Sequence, residues 1–183
     1  MVSIKKSVPF FFLLLLSSTC FAQVKWYSLD EALAAQKKTP KPIMLDAYTV
    51  WCGPCKLLDK NTFGNDDVSA YLNAHFYPVK FNAEGNEKVT YQGQTFDNSN
   101  YDSKRAKTRN GTHDFTRYLG VSGYPTVVFL DETGNFITPI VGYLTPNQIE
   151  IYLKLIHKQD YKNIKSQEDF TAYIKNFEYQ FKG

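Results

Sequence analysis

The apolar positions of this chain recur in two periods, and the changes between them divide it into elements. Ser28 with Glu31 three residues on forms a capping box, and Leu29, Ala32 and Leu33 follow at helical spacing, which predicts a helix from about Leu29 to Lys38. Pro40 and Pro42 end it. Ile43 to Tyr48 is a short apolar run that reads as a buried strand. It leads directly into Trp51-Cys52-Gly53-Pro54-Cys55, with a helix continuing over Lys56 to Asn61. Asp66 or Asp67 caps another helix bearing Val68, Tyr71 and Leu72, and Phe76 to Phe81 is the next strand.

Beyond Thr112, read as an N-cap, a helical turn or two reaches Leu119 and breaks at Gly120. Tyr124 to Leu130 is rich in β-branched and aromatic residues and reads as a third strand. Asp131 to Asn135 supplies turn residues, so Phe136 to Val141 should return as its hairpin partner. Thr145, Pro146 and Gln148 start a helix with Ile149, Leu153 and Ile156 on one face. Ser166 and Asp169 begin a last one with Phe170, Tyr173, Ile174 and Phe177. This order implies an α/β sandwich: a mixed sheet with helices on both faces.

One stretch breaks the economy. Residues 84–110 are polar, rich in Asn, Gly, Thr and Lys, and far longer than a connection of about 4–6 residues. They read as an insertion. Val89 and Tyr91, then Thr95 and Phe96, flank Gln92-Gly93 as in a small hairpin, and Lys104, Arg105, Lys107 and Arg109 give it a basic end. A solvated flap and a partner-docking loop both fit this composition, the flap more simply.

The first residues change the picture of where the chain works. Lys5 and Lys6 precede an apolar run from Val8 to Leu16, and Ser17 to Ala22 follow it, the three-part pattern of a secretory signal peptide. The run is short for a membrane span, which needs about 20 apolar residues. Cleavage after Ala22 leaves a domain over 23–183 in the periplasm or outside the cell, with a helical extension from about 160. In the rival reading Cys20 is lipidated, which alone would tie the protein to a membrane. Losing Lys5 and Lys6 leaves 19 basic residues against 18 acidic ones, a near-neutral protein with no electrostatic case for nucleic acid or an anionic membrane surface. The chain is expected to be a monomer.

Cleavage also leaves two cysteines, Cys52 and Cys55, in a compartment that tolerates disulfides. A bridge between them closes a loop too small to remove much unfolded-state entropy, so it suits reactivity better than stapling. At the start of a helix the first thiol meets unpaired backbone N–H groups and partial positive charge, which favour its thiolate. Cys52 is therefore the candidate nucleophile, expected to be the more exposed. Cys55, one turn into the helix, is the candidate resolving thiol that attacks the mixed disulfide. Gly53 and Pro54 add no charge or imidazole to stabilise the Cys52 thiolate further, which favours reduction of partners over their oxidation. No metal or other cofactor is called for: the cysteines lack a neighbouring histidine to complete a four-ligand zinc site, and His75, His113 and His157 are scattered in sequence.

Trp51-Cys52-Gly53-Pro54-Cys55-Lys56 resembles the active-site sequence of thioredoxins. The likeness extends to Asp46, six residues before Cys52, to Lys80, and to Gly123-Tyr124-Pro125-Thr126, over about Ile43 to Ile156 apart from the insertion. With Trp26 and Lys41-Pro42-Ile43, the chain looks most like exported thioredoxin-like domains, including the C-terminal domain of the transmembrane thiol:disulfide interchange protein.

The resemblance implies a thioredoxin fold and a thiol-disulfide oxidoreductase. It implies that Asp46, buried beside Lys80, exchanges a proton with Cys55 through a water; a merely structural ion pair is the plainer account. It implies a cis bond before Pro125 that lets Tyr124 offer backbone groups to an extended substrate, against an ordinary strand-entry proline. Trp51, Gly53, Pro54, Tyr124 and Pro125 form the implied substrate rim, although Trp51 suits plain packing nearly as well and Tyr124 departs from the small aliphatic residue usual there. The implied partners are disulfide-containing exported proteins and an upstream dithiol donor. An oxidase or isomerase acting on folding proteins, or a binding module with incidental redox activity, are the alternatives.

Overall fold

The computed structural model describes residues 23–182; the signal-peptide reading over 1–22 lies outside them. The elements run α1 (Leu29–Gln36), β1 (Ile43–Tyr48), α2 (Gly53–Leu58), a π-helical turn (Asp59–Phe63), α3 (Asp66–His75), β2 (Tyr77–Asn82), β3 (Val89–Tyr91) and β4 (Gln94–Phe96). They continue with a 3-10 turn (Ser103–Arg105), α4 (Asp114–Tyr118), β5 (Thr126–Leu130), β6 (Phe136–Val141), α5 (Pro146–His157), a second 3-10 turn (Asp160–Asn163) and α6 (Gln167–Lys175).

The main sheet has the order β2-β1-β5-β6. β1 is parallel to β2 and antiparallel to β5, which forms a hairpin with β6. Alternation along the strands sends residues to two cores. Ile43, Leu45, Ala47, Val79, Phe81, Val128 and Leu130 face one side, under α1, α4 and the β3–β4 hairpin. Met44, Val127 and Phe129 face the other, under α2, α3 and α5 through Leu58, Val68, Leu72, Ile149 and Leu153. The period of two also fixes the side on which Asp46 and Lys80 emerge: the face of Met44 and of the α2 helix.

The capping chemistry written at Ser28, Thr145 and Ser166 is present, each hydroxyl accepting from the third helical N–H in a reciprocal capping box. Two caps differ from expectation. Asn65, not Asp66 or Asp67, caps α3 by accepting from Asp67 N and Val68 N, which leaves both aspartates in the first turn against the helix dipole. His113 rather than Thr112 caps α4, accepting from Phe115 N at Nδ1 while its Nε2 meets the Glu87 carbonyl. The helix expected to continue from Lys56 to Asn61 changes to π-helical winding at Asp59.

Residues 84–110 are less of a solvated flap than their composition suggests. Gln92 and Gly93 both have positive φ, the signature of a two-residue hairpin turn, and β3 pairs with β4. Val89, Tyr91 and Phe96 are buried in the first core against Phe115. The Tyr91 hydroxyl donates to the Gly134 carbonyl at 2.7 Å, and Asn98 Nδ2 donates to the carbonyls of Gly85 and Gly111, tying the two ends of the segment together.

Histidines far apart in sequence also meet: the rings of His75 and His157 stack at 4.0 Å, and the Tyr71 hydroxyl lies 2.7 Å from His157 Nδ1. Phe181 packs on Tyr71 at 5.5 Å, while the buried Glu150–Lys154 ion pair receives the backbone N–H groups of Gln180 and Phe181. The C-terminal tail is thereby held against α3 and α5.

Candidate active site

β1 ends at Tyr48, and the chain turns through Thr49 to Trp51 before α2 begins at Gly53. Cys52 is the N-cap of α2: its backbone is extended, and its Sγ accepts from Cys55 N at 3.1 Å. Pro54 fits the first turn, where its missing N–H costs nothing. Cys52 and Cys55 are joined in a disulfide with Cα atoms 5.3 Å apart. Gly53 and Pro54 are exposed, but both cysteines are only 2% exposed. Cys52 is thus no more open than Cys55, contrary to expectation, because the disulfide draws both sulfurs in at the head of the helix.

Asp46 is 1% exposed, and its Oδ2 stands 2.7 Å from Lys80 Nζ, the two residues being register partners across β1 and β2. The Asp46 carboxyl is pushed up to about 6: burial raises it most, the Lys80 ammonium partly offsets this, and the Asp59 carboxylate adds to the rise. Burial works against the charge of Lys80, but the Asp46 and Asp59 carboxylates outweigh it and its pKa is raised.

Asp59 pairs with Lys80 as well, so the ammonium bridges a buried and a half-exposed carboxylate. Around it stand the rings of Trp26 at 4.8 Å, Tyr48 at 5.0 Å and Phe63 at 5.7 Å. An open cavity of about 350 Å³, lined by Trp26, Asp59, Phe63 and Lys80 among others, brings solvent to this group. Sequence reading named Asp46 and Lys80 but missed Asp59 and the aromatic box. The signal for Asp59 was present: four residues after Cys55, it lies on the same helical face.

The rim forms from three separate segments. Trp51 and Tyr124 meet edge to face, ring centroids 6.1 Å apart. The peptide bond between Tyr124 and Pro125 is cis, Pro125 is buried, and its carbonyl accepts from Gly142 N at 2.8 Å. Trp51 Nε1 donates to Glu84 Oε2 at 2.7 Å, and the Arg109 guanidinium lies 4.4 Å over the indole. Neither Glu84 nor Arg109 was singled out for the site from sequence; the polar composition of 84–110 concealed them.

A mixed four-stranded sheet, with a Cys-X-X-Cys disulfide capping the helix after its first strand, defines a thiol-disulfide oxidoreductase of thioredoxin fold. The chain belongs to the thioredoxin-like family, whose thioredoxin-like domain model matches residues 29–157. It is 29% identical over 128 residues to the thiol:disulfide interchange protein DsbD of Pectobacterium atrosepticum, covering 69% of this chain and 18% of that protein. To the DsbD of Cronobacter sakazakii it is 34% identical over 109 residues, 60% of this chain and 15% of the relative. The chain thus spans less than a fifth of these relatives' length. In fold it is similar to DsbH oxidoreductase, with a TM-score of 0.54 at 19% identity over 79% of this chain and 92% of that one. It is likewise similar to a thioredoxin from Thermus thermophilus, with a TM-score of 0.52 at 21% identity over 73% and 87%. Among the described residues no helix is long and apolar enough to cross a membrane.

Proposed function

We propose that the chain reduces disulfides of exported proteins, working outside the cytoplasm after removal of residues 1–22, and is itself recharged by an upstream dithiol donor. The observation that carries this reading is the Cys52–Cys55 pair at the head of α2, separated by Gly53 and Pro54, so that no cationic side chain or imidazole stands between the cysteines in sequence. Without such a group the thiolate gains only what the helix terminus offers, and the dithiol remains a good electron donor. The name of the relatives, thiol:disulfide interchange protein, supports the exchange chemistry.

In the reducing direction the Cys52 thiolate attacks one sulfur of the partner's disulfide. A new S–S bond forms, the partner's bond breaks, and its other sulfur leaves as a thiolate. Cys55 then loses its proton and attacks Cys52 Sγ, expelling the partner's second sulfur. Two electrons have passed to the partner, whose two sulfurs leave as thiolates and take up protons from solvent, and the Cys52–Cys55 disulfide results. Asp46 takes the Cys55 proton through a water: buried, with a carboxyl raised to about 6, it is basic enough to take the proton and acidic enough to return it through solvent at the Lys80 cavity. Trp51, Gly53, Pro54, Tyr124 and Pro125 form the surface on which the partner's chain is laid.

The reduction potential of the Cys52–Cys55 couple tests the direction. We expect a value near thioredoxin's ~−270 mV; one near ~−120 mV, typical of a strong oxidant, removes the reductase reading.

A further inference from the structure

Residues 84–110 meet the active-site rim from both of their ends, on a single indole. At the start, Glu84 Oε2 accepts from Trp51 Nε1 at 2.7 Å; at the close, Asn110 N donates to that same oxygen at 2.8 Å. The neighbouring Arg109 lays its guanidinium 4.4 Å over the Trp51 ring. The loop behind Arg109 is fixed from within. Asn110 Oδ1 accepts from Asp102 N and Gly111 N, Asn110 Nδ2 donates to the Asp102 carbonyl, and Arg105 Nε donates to the Arg109 carbonyl at 2.9 Å. Gly111 is required here, because an added Cβ would stand 2.6 Å from the Asn100 carbonyl oxygen.

Lys104, Arg105, Lys107 and Arg109 are exposed. The ion pairs among the described residues involve Lys80, Arg117 and Lys154 and none of these four. Asp102, the nearest acid in sequence, directs its carboxylate to Lys104 N as a helix cap. Four cations outside any ion pair, against the single Glu84 carboxylate held on the same indole, make a local positive field beside the residue that precedes Cys52. The guanidinium stacked on the indole is already oriented, so a carboxylate that meets it costs little further ordering.

We propose that Arg109 is a specificity-determining residue: it receives a carboxylate from an acidic stretch flanking the cysteine of a partner protein's disulfide while that sulfur meets Cys52. This rests on the exchange reading above. A protein segment fits better than a small disulfide, because the cations extend over six residues and the Trp51–Tyr124 ring pair adds apolar contact beside them.

The test uses peptide disulfides of one core sequence with acidic, neutral or basic flanks, reduced by the dithiol form of the protein and followed by stopped flow. The wild type should favour the acidic over the basic peptide by about tenfold at low salt, a ratio that shrinks as ionic strength rises. Arg109→Glu should invert the preference, Arg109→Lys should retain it, and Lys158→Glu, at the C-terminal end of α5, should leave it unchanged. Equal rates with all three peptides in the wild type would overturn the proposal. So would an Arg109→Glu variant that slows every peptide by one factor, since Arg109 would then act only by holding Trp51. Faster reaction with glutathione disulfide than with the acidic peptide, lost in Arg109→Glu, would assign the cation to a small disulfide and reject the protein partner. If no substrate is reduced by the wild type, the exchange reading fails as well; turnover of the neutral peptide separates that failure from failure of the surface alone.

Discussion

Asp46 and Lys80 are register partners on adjacent parallel strands, and their side chains meet at 2.7 Å on the face that also carries the cysteine helix. A carboxylate removed from water beside a single cation has a definite consequence for stability. Its folded-state pKa is about 6 against an ordinary 3.8. The native state therefore holds the proton more tightly than the unfolded chain. The resulting stabilisation is complete below pH 3.8 and is lost as pH rises through about 6. Asp46→Asn should remove that loss and stabilise the protein at pH 7 by up to about 3 kcal/mol. Urea unfolding of wild type and variant at pH 4 and pH 7 checks it: the gap should open between the two, and equal gaps would refute the burial argument.

Lys80 and Asp59 act on Asp46 with opposite signs. Lys80→Met takes away the cation that favours ionised Asp46, so its titration should move upward from about 6; Asp59→Asn takes away a like charge and should move it downward. Carbon NMR titration of the Asp46 carboxyl reads both directly. If Asp46 exchanges the Cys55 proton, the pH inflection of the reduction rate should shift with it in each variant, whereas a structural ion pair would leave the inflection in place.

Glu84 is 8% exposed and accepts two N–H donors on one oxygen. Glu84→Ala leaves the Trp51 indole and the Asn110 amide without their partner, which should cost about 1–3 kcal/mol. It should also free residues 102–110 from the rim. Hydrogen exchange at Asn110 checks this: its amide should lose protection in the variant while amides of β1 and β5 keep theirs.

How much of this was legible depended on range. The strand that ends at Tyr48, the helix headed by Cys52 and the boxes at Ser28, Thr145 and Ser166 are local and were read from neighbouring residues. Asp46 and Lys80 were found through family likeness and not through contact, because 34 residues separate them in sequence and only the sheet register joins them. Asn65 was missed because Asp66 and Asp67, of equal capping propensity, follow it, and His113 because Thr112, the more usual capping residue, precedes it; only backbone conformation chooses between them. The box of Trp26, Tyr48 and Phe63 around Lys80, and the closure of Glu84 and Arg109 on Trp51, gather residues from separate segments. No period or spacing encodes those meetings.

The Tyr71–His75–His157 cluster gives a pH dependence opposite in sign to that of Asp46. Burial lowers the pKa of both histidines, and neighbouring positive charge lowers each further: His157 and Lys41 act on His75, and Lys158 acts on His157 against Glu132. The unfolded chain binds these protons more readily than the native state. The stability tied to the neutral stack is therefore complete above the ordinary value of 6.5 and declines as pH falls below it. In the wild type this decline works against the gain from protonating Asp46 over an overlapping range. Asp46→Asn should expose it as stability that falls on acidification from pH 7 to pH 5, and adding His75→Phe should make that fall shallower. Because Phe181 packs on Tyr71, the fluorescence of a probe attached near the C-terminus should report tail release over the same range. A tail that stays docked while global stability falls would place the effect elsewhere than in the histidine stack.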